Sequence, residues 1–385
     1  MPEQRPYLYL RGLRQVDHTV FSVSNGQKFY YDPVFNRRVP FSSGQQVKRS
    51  ILDYLTELLG EGRASIVFNW QMSTDTKTKQ KKLEQKEPWS PCHPKFADQL
   101  VGGWMRAQSS ERTIKRRSPL SISAMHPLHP TLAGLNTESL TFDRSDHPEQ
   151  HEIAVRDEKG NVVPREEVYE YLRQNNRALP MRIWIPEDKV GGRATGLFVY
   201  DVAIDLRLLF LVSLNDFDPE LTPETRDELI ANGWKKSTDG NYLICPKSRR
   251  DEIIPALAES LIHWHITSNQ ARTYSPQNAL AIAISDNANR IGSAIRAELR
   301  ESDAERPRAE PVLEPVEGVE LFTTLPALGY VRGVTGSANA LQAAQDYLQQ
   351  QLSAFDYDNV TFSPNRLPKT TSAPTGGAEP ATLNI

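Results

Sequence analysis

At 385 residues, with 38% hydrophobic and 24% charged residues, the chain is long and apolar enough to bury a full core, which excludes a wholly disordered protein. Its two cysteines, Cys92 and Cys245, lie far apart with no CxxC pair, which argues against a disulfide framework or a cysteine zinc site and fits a reducing compartment. The net charge of −3 hides an asymmetry: residues 301–385 hold 5 basic and 11 acidic residues, while residues 72–117 hold 11 basic and 5 acidic, a local +6. A basic stretch in an acidic chain points either to a focused polyanion site or to a solvated charged surface.

No apolar run approaches the ~18 residues of a membrane span, and the opening Met1–Pro6 is polar, so a cytoplasmic protein with no membrane partner is expected. In chain order, Tyr7–Leu13 alternates as a strand, and Thr19–Val23 reads as a second, with a polar turn at Asn25-Gly26. After a Pro-containing loop, Ser43-Gly44 precedes an amphipathic run, Val47, Ile51, Tyr54, Leu55 and Leu58, which predicts a first helix ending near Gly60.

From 71 to 180 the periodicity breaks down, apart from short pieces such as a helix at Glu166–Gln174. Long irregular stretches in compact domains are often functional, so a finger-like insertion is expected there. Met181–Ile185 and Gly196–Leu206 read as strands joined by the connector Lys189-Val190-Gly191-Gly192-Arg193, which could project as a hairpin. A second helix at Ile253–Ile266 leads into Ala279–Ile284, an apolar run suited to a buried strand. The order β, α, β, β, α, β predicts an α+β chain on a ferredoxin-like plan, its palm formed by 1–70 and 181–300 around the 71–180 insertion. Beyond it we read an acidic linker over 301–318, a C-terminal extension over 319–363 with a helix at Ala338–Leu352, and a disordered tail over 364–385.

Three stretches carry a resemblance when taken together. The first runs from Tyr31-Asp32-Pro33 through Ser43-Gly44 to Lys48-Arg49-Ser50; the second spans Asp98–Ala107 and Lys115–Ser123; the third is Ser268-Asn269-Gln270-Ala271-Arg272-Thr273. In type, order and spacing they resemble the Cas-seven (DevR-type) family, the RAMP-fold subunits that line CRISPR RNA in Cascade complexes. The resemblance covers roughly residues 7 to 290 and does not extend past 301. It implies an RRM-like palm with a finger insertion and a hairpin thumb at about 186–196. It also implies an antiviral, oligomeric, non-catalytic role without cofactor or metal. The implied partners are CRISPR RNA, target DNA through guide pairing, further copies of the chain in a helical filament, and other Cascade subunits.

Chemistry supports several of the same residues, each beside a plainer reading. Ser43, Gln45, Gln46, Lys48 and Arg49 sit where a helix N-terminus offers free N–H groups and an adjacent cation to a phosphate; a simple Ser43 cap with a solvent-facing lysine fits equally. Asn269, Gln270 and Arg272 supply amides and a planar fork for phosphate and sugar, or a surface salt bridge. Lys115, Arg116 and Arg117 either bind RNA or form a solvated face, and Lys189 and Arg193 belong to the implied thumb.

Catalytic readings find less. His263 and His265 stand two apart on a predicted helix, unlike an i, i+4 zinc pair. His126 and His129 lie in a Pro-rich loop, and Asp201 and Asp205 on one strand face are more simply caps or ion-pair members. Where type III relatives carry a cleaving Asp before the Asp-Pro of the first stretch, this chain has Asn25-Gly26-Gln27, which implies the non-cleaving type I form. The alternatives are an RNA-guided ribonuclease of the type III kind, using an Asp such as Asp17 or Asp32, and a general single-stranded nucleic-acid-binding protein.

Overall fold

A computed structural model of the chain describes residues 6–21, 27–74, 81–107, 112–136, 139–141, 154–176, 182–184, 192–266, 275–300 and 308–360. Strand β1 (Tyr7–Thr19) lies in the middle of the main sheet because its alternation serves two cores: Leu8, Leu10 and Val16 face one and Leu13 the other. β2 (Phe29–Asp32) and β3 (Arg37–Pro40) form a hairpin turned by Asp32, whose carboxylate accepts the Val34 and Phe35 N–H groups. α1 (Gly44–Leu58) buries Val47, Ile51, Leu52 and Leu55 at helical spacing.

A second hairpin, β4 (Trp70–Thr74) with β5 (Lys81–Gln85), precedes α2 (Ala97–Gly102) and the pair β6 (Trp104–Arg106) with β7 (Ile114–Arg116). Next come β8 (Leu120–Ile122), β9 (His126–Pro127) and β10 (Ala133–Asn136). β11 (Ser139–Thr141) pairs with β12 (Arg182–Trp184), with α3 (Arg165–Gln174) between them in sequence. The second long strand, β13 (Arg193–Asp205), runs into the short α4 (Leu206–Leu209). A small sheet of β14 (Leu211–Ser213), β15 (Lys235–Lys236) and β16 (Tyr242–Ile244) follows, with α5 (Pro223–Ala231) within it in sequence. The chain ends with α6 (Lys247–His263), β17 (Gln277–Ser285), α7 (Ala288–Ala294), the hairpin β18 (Ile295–Arg300) with β19 (Arg308–Leu313), β20 (Glu320–Thr323) and α8 (Ala340–Ala354).

The main sheet has the order β10–β13–β1–β17–β20, with β8 and β9 also on β13, each pairing antiparallel. One face carries α1, α6 and α8 through Ile51, Leu257, Leu261, Leu348 and their neighbours. The other carries α7 and the β18–β19 hairpin through Ile291, Ile295 and Leu313. β1 and β13 approach closely at Gly12, where a Cβ would stand 2.3 Å from the Tyr200 ring, so the ring fills the space of a missing side chain.

The α+β class, the first helix, the strands over 196–205 and 279–284 and the helices over 166–174 and 340–352 follow the sequence reading. Several expectations need correction. The strand expected over 181–185 has Arg182–Trp184 paired with β11, and the edge of β13 is taken by β8, β9 and β10, whose Leu120 and Ala133 are buried there. Thr19–Val23 is not a separate strand in its described part: β1 continues to Thr19 across an irregularity after Val16, and Val20 and Phe21 follow outside any strand. The stretch 308–313, expected as linker, forms β19 on β18, with Ala309 buried and Leu313 turned into the second core. The extension beyond it is part of the fold, with β20 on β17 and Leu348 and Leu352 in the first core. The turn at Asn25-Gly26, most of the thumb stretch and the tail over 364–385 lie outside the described residues.

Candidate nucleic-acid interface

α1 begins with Ser43 as N-cap, its hydroxyl accepting the Gln46 N–H at 3.4 Å, and its first turn carries no acidic residue. Gly44 is required by a close approach, since a Cβ there would stand 2.6 Å from the Ile122 carbonyl oxygen. Just before it, Ser42 and Met125 exchange both backbone hydrogen bonds, at 2.9 and 3.0 Å. Gln46 is turned inward and accepts from the Ser42 hydroxyl at 2.9 Å, whereas Gln45 is exposed.

Lys48 does not extend into solvent. Its Nζ donates to the Gly102 carbonyl and the Ser118 hydroxyl, both at 2.7 Å, and burial, helped by the nearby Arg116 charge, pulls the amine down to about 8. Lys48 therefore ties α1 to α2 and to the turn before β8, a role its place on the Leu52–Leu55 side of the helix foreshadows. Arg49 is exposed and pairs with Asp53 at 2.8 Å.

The basic triplet divides by strand alternation. Arg116 is 4% exposed; its guanidinium donates to the carbonyls of Leu100, Leu208 and Leu211, lies 5.2 Å above the Trp104 ring, and stands 3.8 Å from Glu220. This corrects the expectation of an RNA-facing Arg116: it shares the inward face with Ile114, and its donors are used by the backbone. Lys115 and Arg117 point outward, Lys115 3.3 Å from Asp218. Arg193 is half-buried opposite Asn136, while Lys189, Asn269, Gln270 and Arg272 lie outside the described residues.

The structure thus links Ser43 to Gln46 at the start of α1 and, one turn on, Lys48 to Gly102 and Ser118, with Gln45, Arg49, Lys115 and Arg117 exposed. Sequence reading missed the β2–β3 hairpin as a surface: Tyr31 is 57% and Val34 79% exposed, and Arg38 lies 5.1 Å over the Phe29 ring. Aromatic residues beside arginines were the available signal.

The remaining candidates are held in ordinary roles. Asp201 takes two hydrogen bonds from Arg11, at 2.7 and 2.9 Å, and Asp205 caps α4 and pairs with Arg207. Asp32 makes its turn, as above, and Asp17 is exposed beside His18. The His129 ring accepts the Thr131 N–H, and burial lowers the pKa of both His263 and His265. Among the described residues, no group of three or more His, Cys, Asp or Glu side chains is arranged to hold a metal ion, and no helix is long and apolar enough to cross a membrane.

No family model matches the chain, and no curated protein matches it. Among solved structures, it is similar to a chain of a "CRISPR RNA-guided surveillance complex, pre-nicking", at 8% identity and a TM-score of 0.41, over 90% of this chain and 88% of that one. A chain of a "CRISPR RNA-guided surveillance complex" overlaps at 10% identity and a TM-score of 0.38, over 91% of this chain and 100% of that one. Overlaps this loose assign no function by themselves.

Proposed function

We propose that the chain is a non-catalytic backbone subunit of a Cascade-type surveillance complex, several copies of which hold one guide RNA. The observation that carries the reading is the junction at Lys48. Two stretches that resemble the Cas-seven family, distant in sequence, meet there through the Gly102 carbonyl and the Ser118 hydroxyl, and the exposed Arg49 and Arg117 are each next in sequence to a residue of that junction. The strand order supports a ferredoxin-like palm. With β8–β10 as second strand, β13 as third and β17 as fourth, β1 sits between the third and fourth, and α1 and α6 share one face.

On this reading the start of α1 and the exposed Gln45, Arg49, Lys115 and Arg117 contact guide phosphates and sugars, while base pairing of the guide selects target DNA. Copies stack head to tail through a heterologous contact that does not close, and other complex subunits cap the row. The test is binding of the full chain to single-stranded RNAs of graded length, with magnesium and a complementary RNA present. Copies adding one by one at a fixed length increment, with both strands intact, support the proposal. Metal-dependent cutting of the complementary strand turns it into the ribonuclease alternative, and absence of RNA binding overturns it.

A further inference from the structure

The β2–β3 hairpin has one side held by the fold and one turned out. Inward, Val39 is fully buried, its cross-strand partner Tyr30 meets the Phe41 ring edge-on at 5.8 Å, and Phe35 in the turn meets His129 in the same way at 4.6 Å. β3 also packs against β9 and β10 at the edge of the main sheet, so the hairpin is anchored along its inner side. Strand alternation turns Phe29 and Tyr31 to the other side, 43% and 57% exposed, with Arg38 paired opposite Tyr31.

The charge of this segment is cationic. Residues 28–41 hold Lys28, Arg37 and Arg38 against the single acid Asp32, whose carboxylate is engaged by the Val34 and Phe35 N–H groups of the turn. The Arg38 guanidinium lies 5.1 Å over the Phe29 ring, which puts a cation among two exposed aromatic rings. Rings interleaved with cations suit a partner that is both anionic and planar. A nucleic-acid strand with unpaired bases is such a partner, since every base has a π-face to stack and every linkage a negative charge. β3 leads through Ser42 into the Ser43 cap of α1, and the five residues from Arg38 to Ser43 reach at most ~18 Å. One strand can therefore touch both the rings and the helix start.

We propose that Phe29, Tyr31 and Arg38 form a stacking platform for the unpaired bases of a single nucleic-acid strand, beside the phosphate contacts at the start of α1. The inference rests on the backbone reading for its purpose, and adds to it a surface that grips bases instead of phosphates. A base stacked on one ring gains about five-fold or more in affinity, whichever base it is. The platform thus favours no sequence, as a subunit that must accept any guide requires.

The test measures binding of the full chain to a uridine oligomer, to a thymidine oligomer, and to an abasic strand of the same length and charge. Tyr31→Ala should weaken binding to the uridine oligomer by about five-fold or more, leave the abasic strand within about two-fold, and keep the salt slope unchanged. Tyr31→Phe, which retains the ring, should bind as the parent does, and the urea midpoint of both variants should match the parent's because the site is exposed. Arg117→Ala, at a proposed phosphate contact, should weaken the base-bearing and abasic strands alike. A loss confined to the uridine oligomer assigns the platform to guide RNA, and an equal loss on thymidine assigns it to either strand; both keep it. Tyr31-dependent, base-dependent binding without copies adding along longer strands keeps the platform and removes the backbone reading. Equal loss on base-bearing and abasic strands, or no loss on either, overturns the platform and leaves the backbone reading standing. Copies that separate in Tyr31→Ala with base-dependent binding intact make the face a protein contact and overturn the platform, as does a parent that binds no single strand.

Discussion

Replacing Arg116 by Met keeps the stem of the side chain and removes its donors. Three buried carbonyls, of Leu100, Leu208 and Leu211, then lose their partner, and Glu220 loses the cation 3.8 Å away. Each unsatisfied buried acceptor costs ~1–3 kcal/mol, while removing a desolvated charge returns part of that sum, as breaking other buried charge networks shows. The net expectation is a loss of about 3–5 kcal/mol, read as a lower urea midpoint at unchanged m-value. Arg117→Met, at an exposed position just past the end of β7, should change stability by less than ~0.5 kcal/mol and weaken RNA binding instead. Affinity of the folded Arg116→Met protein for a short RNA should stay within about two-fold of the parent, since uncoupled sites do not share their losses. Undiminished stability of Arg116→Met together with lost RNA binding would refute the inward assignment of this side chain.

Lys48 gives a pH signature. Its amine titrates near 8 in the folded protein, below the ordinary lysine value, so above about pH 8 the unfolded chain binds more protons and stability from this group rises with pH; it is lost as pH falls through about 8. The stability difference between the parent and Lys48→Met should therefore grow in the parent's favour from about pH 8 upward, and a flat difference in chemical denaturation would place the amine in water. Tyr357, 4% exposed, stacks edge-on with Phe210 at 4.9 Å and donates to the Leu352 carbonyl at 2.9 Å. Tyr357→Ala should cost about 3–5 kcal/mol by thermal or urea unfolding, and a cost below ~1 kcal/mol would separate the extension from the core. Gly44→Ala should destabilise by about 1–3 kcal/mol despite alanine's better helix propensity, because of the Ile122 carbonyl; a stabilised variant in the same assay contradicts that contact.

Sequence reading succeeded where apolar residues repeat over enough length. α1 declares itself through Val47, Ile51 and Leu55, and β13 and β17 through long runs buried on both faces. It failed on β8, β9 and β10, strands of two to four residues that are held by the edge of β13 and have no periodicity of their own. Pro311 and the glutamates around β19 read as linker, yet Ala309 is buried and Leu313 finds the second core. Charge misled at Lys48 and Arg116, because the carbonyls that satisfy them come from distant segments. The available hints were geometric: Lys48 precedes Leu52 by one helical turn, and Arg116 alternates in phase with Ile114. The same period-two test would have found Phe29 and Tyr31 on one side of β2.

The central claim is that this chain is carried along a guide. The direct measurement is native purification of the full chain from cells that also express its neighbouring genes and a repeat–spacer array, with sequencing and sizing of the RNA that co-elutes. The expected result is a large particle holding guide RNA of uniform length, with several copies of the chain on each molecule. A nucleic-acid-free monomer, or RNA of random sequence and length, would contradict it.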